Sequence, residues 1–80
     1  MTKYELVKDK IYRKLRYYIE KARECEDLIE FLKLIGWFIV ESSEAISKSD
    51  LGYSDKKKLL LWAIEEMNVL YMIYKLNIKN

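Results

Sequence analysis

Asp27-Leu-Ile-Glu-Phe-Leu-Lys-Leu-Ile-Gly-Trp-Phe-Ile-Val40 is the segment that the rest of the chain must cover. Ten of its fourteen residues are apolar, Gly36 is its only weak helix former, and its charges gather on one side. A helix this apolar does not stand uncovered in water. Two further amphipathic segments flank it, and they are its cover. The pattern predicts an all-α, antiparallel three-helix bundle with helices over about 3–24, 27–48 and 55–76, completed by homo-oligomerisation.

The composition supports that reading. Residues 1–80 make one domain, near the size at which a single core is marginal and self-association is a common remedy. With 51% apolar and 35% charged residues the chain is globular, and zero Pro with two Gly leaves few helix breakers. It has no His or Gln but is rich in Lys, Glu, Ile and Tyr, a bias that points to a thermophilic, archaeal source. The lone Cys25 closes no intramolecular bridge, so a cytoplasmic setting is expected. The longest uncharged apolar run, Leu34 to Val40, is too short to span a bilayer.

The first helix begins at a capping box, Thr2 with Glu5, in which each side chain satisfies a free backbone N–H. At one hundred degrees per residue, Tyr4, Val7, Ile11, Leu15, Tyr18, Ile19 and Ala22 share its core face. Lys3, Lys10, Lys14 and Lys21 line one border of that face at spacings of seven, four and seven. As a solvated rim, their stems cover a neighbouring helix. As a site, they form a phosphate-contacting ridge about 27 Å long.

The border between the first two helices is open. Lys21 and Arg23 suit a helix C-terminus, and Glu24, Glu26 and Asp27 suit the N-terminus of a new one, with Asp27 and Glu30 as a second capping box. Against a break, Ile11, Tyr18, Cys25, Leu32, Ile39 and Ile46 repeat every seven residues straight through it. One continuous rod of about 69 Å is the rival.

On the second helix Leu28, Phe31, Leu32, Ile35, Phe38, Ile39 and Ile46 are predicted to centre the apolar arc, with Leu34, Ala45, Ile29 and Val40 on its flanks. Trp37 stands among charges, either flat over Lys33 or as an interface anchor. Gly36 permits close approach of another backbone. After a turn in which Gly52 takes a left-handed or turn conformation, Ser54 and Asp55 open the third helix. Leu60, Ala63, Ile64, Met67, Leu70, Tyr71, Tyr74 and Ile78 are its expected core. A second stripe, Trp62, Val69, Ile73 and Leu76, lies nearly opposite. Two stripes need more cover than one chain owns, so Trp37, Trp62, Val69, Ile73 and Leu76 are candidate interface residues.

Charge is segregated. Residues 1–23 carry eight Lys/Arg against three Asp/Glu, residues 24–55 two against eight, and residues 56–80 five against two. A +5 helix beside a −6 helix pairs favourably, and the total of +2 is low for a dedicated nucleic-acid binder. Without His there is no Ser-His or Cys-His pair and no common zinc or di-iron ligand set. Glu41, Glu44, Glu65 and Glu66 are the acids available for Mg²⁺. They resemble only loosely those of the all-α nucleotide pyrophosphatases, with two Glu where that family's first motif has three and Asn68 where its second needs an acid. No catalytic residues, metal site or cofactor are expected, and the chain reads as a non-enzyme.

Phe31-Leu32 opening a helix, Glu41 ten residues on, Asp50-Leu-Gly-Tyr53 at the turn and the closing Ile73-Tyr-Lys-Leu76 carry one further likeness. Residues 31–76 resemble the last two helices of the four-helix-bundle family of 23S rRNA intervening-sequence proteins and retroelement accessory proteins. Members of that family are longer by a helix, and the turn here arrives one residue early. The resemblance implies an oligomeric accessory bundle, from a mobile element or virus, with a basic surface for nucleic acid. The lysine ridge lies outside the matched residues. Two functions are therefore expected: nucleic-acid association through Lys3, Lys10, Lys14 and Lys21, or a structural, protein-interaction module with no nucleic-acid role. The partner in either is a second copy of the chain, as a homodimer or larger, with no membrane span.

Overall fold

Each helix begins where local chemistry supplies an acceptor for free backbone N–H groups. In the computed structural model, which describes residues 1–78 and of Ile78 the backbone alone, α1 spans Lys3–Glu24, α2 Leu28–Ser47 and α3 Tyr53–Ile78. The expected core role of the Ile78 side chain lies outside the described residues. The α1 capping box is complete: the Glu5 backbone N–H donates to Thr2 Oγ1 at 3.1 Å, and the Thr2 N–H to Glu5 Oε1 at 3.0 Å.

The rod is not formed. Cys25 and Asp27 are extended, and the Asp27 carboxylate accepts the Glu30 N–H at 2.9 Å as the cap of α2. Glu30 reaches back one residue further than expected, to the Glu26 N–H at 3.2 Å. Crossing this break shifts the seven-residue repeat by one position. Ile11, Tyr18 and Cys25 are buried, Phe31 and Phe38 take the inward places on α2 while Leu32 and Ile39 turn outward, and the repeat's last member, Ile46, is buried as expected.

The second turn closes through serines. Ser47 and Ser49 hydroxyls donate to the Glu44 and Ile46 carbonyls, and the Lys56 ammonium donates to Ser47 O at 3.2 Å, satisfying the carbonyl end of α2. Gly52 has no positive φ, so of the left-handed and turn conformations expected of it the left-handed one is not adopted. It accepts the Lys56 N–H, so α3 starts at Tyr53, two residues before Asp55.

The helices run up, down and up, so α1 and α3 are parallel. Each packs on the other two around Ile11, Leu15, Tyr18, Phe38, Ile46, Leu59 and Leu70. Phe31 stacks on Tyr74 with centroids 4.6 Å apart, and Tyr18 meets Phe38 edge-on at 5.3 Å. The α1 face is as expected, with Tyr4, Val7 and Ile19 at its margin. The α2 and α3 faces are rotated. Ser42, Leu34 and Ala45 lie on the inner side of α2, and Leu28, Leu32 and Ile39 do not. On α3 the buried set is Leu59, Ala63, Leu70 and Tyr74; Leu60, Ile64 and Tyr71, expected inside, are 41%, 54% and 45% exposed.

The result is a slab of 44 × 21 × 15 Å. Its radius of gyration, 13.4 Å, exceeds the roughly 12 Å of a rounder chain of this length. A slab this thin has one inner layer and leaves broad faces in water. Among the described residues no helix is long and apolar enough to cross a membrane.

Candidate interaction surfaces

The lysine border of α1 does run beside α2, and that neighbour supplies carboxylates. Lys3 Nζ lies 2.8 Å from Asp50 Oδ2, and Lys14 Nζ 2.8 Å from Glu41 Oε2. Lys21 pairs with Glu24 at 3.6 Å and stands over the Tyr17 ring. Lys10 lines a groove that also holds Lys14, Lys48, Glu41 and Glu44, so its surroundings are of mixed sign. The Asp50 hydrogen bond raises the Lys3 pKa, and the Lys3 bond lowers that of Asp50. Both groups are exposed, and pairs of this kind contribute little.

The Lys14–Glu41 pair belongs to a larger unit. Tyr18, buried in α1, donates its hydroxyl proton to the other oxygen of Glu41. Burial first, and then the Glu41 carboxylate, push the phenol pKa well above its ordinary value. The bonds from Lys14 and then Tyr18 hold Glu41 below the usual carboxylate range. A charged acid held this way is a structural clamp between α1 and α2, not a proton donor near neutral pH.

The other acids do not converge. Glu41 is held against α1, whereas Glu65 and Glu66 stand on α3, and no group of three or more His, Cys, Asp or Glu among the described residues is placed to share a metal ion. Cys25 is buried, and burial followed by the Glu30, Asp27 and Glu24 charges raises its thiol pKa, the opposite of an activated nucleophile.

The interface candidates divide. Trp37 is 64% exposed on the α1 side of α2, in a groove with Lys21, Glu24 and Leu34, and among the described residues no cation stands over its ring. Trp62 and Ile73 pack against the chain's own core, Trp62 beneath Lys8 at 5.1 Å, because the parallel α1 covers that side of α3. Both are only partly buried there. Val69 and Leu76 remain exposed just beyond α1's reach.

A wider apolar surface lies elsewhere. On α2, Glu41 marks the side toward α1 and Phe31 the side toward α3; beyond Phe31 the helix turns Leu32, Ile39 and Val40 outward, with Gly36 among them. On α3, Trp62 marks the side toward α1 and Tyr74 the side toward α2; beyond Tyr74 come Leu60, Ile64 and Tyr71. Because α2 and α3 are antiparallel, both sets turn to the same outer side, opposite α1. At one end Ser43, Ser47, Tyr53, Lys57 and Leu60 line a shared groove. A Cβ built on Gly36 meets nothing within 4 Å, so this face is open at its middle. Periodicity missed the surface because Leu59-Leu60-Leu61 offers three phases for α3. Compared with protein-family models, curated proteins and solved structures, the chain matches none of them.

Proposed function

We propose that the protein is a non-enzymatic, accessory helical bundle that works by association, burying the outer α2–α3 face against another helical surface. The observation that carries this reading is a broad apolar surface from two adjacent helices, half-exposed at Leu32, Ile39, Ile64 and Tyr71, on a slab only 15 Å thick. Contiguous apolar patches of this kind mark contact sites in soluble proteins. A photo-crosslinking side chain at position 64 should form protein–protein adducts that the same side chain at the exposed position 16 does not. Adducts at neither position, or equally at both, sink the reading.

Nucleic-acid association through Lys3, Lys10, Lys14 and Lys21 is the second reading. It is favoured by their solvent access, since the Lys3, Lys14 and Lys21 side chains are 70%, 41% and 45% exposed and surface pairs exchange partners at little cost. It is opposed by the carboxylates that already neutralise three of them. Under this reading the protein binds duplex DNA at low salt, and Lys10→Gln with Lys14→Gln flattens the log affinity against log salt plot by about two. No wild-type binding at low salt removes it.

A further inference from the structure

The geometry points to a second copy of this chain as the occupant of the outer α2–α3 face, packed antiparallel about a two-fold axis that passes between Gly36 and Asn68. This rests on the association reading and names its partner.

The face has the area of a dimer interface. Leu28 and Ile29 extend the face at the α2 N-terminus, 52% and 68% exposed. Half-exposed side chains of this size offer roughly 80–120 Å² each, so the eight apolar ones on the face present on the order of 800 Å², the share each partner gives to a standard stable interface. A self-complementary face satisfies an isologous dimer without any other surface.

Charge favours one orientation by a modest margin. The end of the slab where α2 finishes and α3 begins carries Lys48, Lys56, Lys57 and Lys58 against Glu44, Asp50 and Asp55, a small positive balance; the opposite end carries Glu24, Glu26, Asp27 and Glu30 against Lys21, Arg23 and Lys75, a small negative one. Two copies related by an axis along the helices set basic end on basic end. An axis across the helices sets each basic end on an acidic one.

The register of α2 against α3 places the axis. Phe31 is level with Tyr71 and Tyr74, and Ser47 is level with Lys56. Stepping evenly between these points places Gly36, near the middle of α2, level with Asn68 on α3. The axis across the helices then brings α2 onto its own copy at Gly36, where no side chain holds the backbones apart. It brings α3 onto its own copy at Asn68, an exposed polar residue in an apolar run. Two Asn side chains meeting on the axis satisfy each other and disfavour a shifted register.

Sedimentation equilibrium and disulfide trapping test this. The wild type should show twice the 9.7 kDa chain mass at micromolar concentration. Leu32→Lys with Ile64→Lys should halve that mass while the helical circular-dichroism spectrum persists, because both side chains are exposed in the single chain. Asn68→Cys should cross-link to its own copy under mild oxidation, and Lys57→Cys, far from the axis, should not. A wild type of 9.7 kDa at 100 µM overturns the inference, as does a dimer that survives both lysines. Cross-linking at position 57 and not at 68 overturns the antiparallel arrangement. If the wild type is monomeric yet a residue-64 crosslinker captures a different protein, the second copy is wrong and the association reading stands.

Discussion

Tyr18 of α1 donates its hydroxyl proton to Glu41 of α2, whose other oxygen takes the Lys14 ammonium at 2.8 Å. The bond joins residues 23 apart in sequence and, with the Lys14–Glu41 pair, ties α1 to α2 at the edge of their apolar contact. Tyr18→Phe keeps the edge-on packing on Phe38 but removes the donor. It should destabilise the chain by about 1.5–3 kcal/mol in urea unfolding, the usual net worth of a hydrogen bond to a charged group.

The same clamp sets a pH window. Glu41 is lowered from 4.5 in the fold, so its contribution is present above that value and fades as pH falls through the lowered one. Tyr18 is raised from 10.0, so its contribution is whole below 10.0 and fades as pH rises beyond it. Buried Tyr74 is raised as well and shares the alkaline loss. The buried Cys25 thiol, raised from 9.0, begins that loss earlier, so melting temperature should be level between about 5 and 8.5 and drop on both sides, and Tyr18→Phe should shallow the alkaline limb. An alkaline limb unchanged by that substitution contradicts the assignment.

Leu59 is fully buried and Leu61 is 52% exposed, although they are two residues apart in a run of three leucines. Leu59→Ala should cost about 2–5 kcal/mol and Leu61→Ala less than about 1. Equal losses in paired denaturation curves show the α3 phase to be wrong.

Asp27 separates α1 from α2 by capping the latter. Asp27→Ala removes that acceptor and should cost about 0.5–2 kcal/mol, with lower helicity near the break by amide hydrogen exchange at residues 28–30. Unchanged exchange there means the cap does not hold the helix start.

Gly36→Ala separates chain stability from assembly. With open space at its Cβ position, the substitution should raise the melting temperature of the Leu32→Lys, Ile64→Lys variant, worth about 0.4–1 kcal/mol. In the wild-type background it places two methyl groups where the copies meet, and dissociation should become easier. A gain in both backgrounds removes Gly36 from the interface.

Local chemistry determined the helices by itself. The capping box needs only Thr2 and Glu5, three residues apart; the Asp27 cap needs only Glu30; the α1 face follows from one unambiguous stripe flanked by charges. Those interactions close within a turn of helix, so their residues are neighbours in the sequence. The partners of Lys14 and Lys3 are 27 and 47 residues away, and only the packing of α1 beside α2 brings Glu41 and Asp50 to them. Tertiary structure also chose the phase of α3. Apolar residues surround that helix, so its own periodicity leaves several faces equally able to turn inward, and the choice of Leu59 over Leu60 falls to shape. Trp62 and Ile73 pack half-buried against the core, Trp62 beside Lys8 of α1, and the same rotation of α3 turns Leu60, Ile64 and Tyr71 outward beside Leu32 and Ile39.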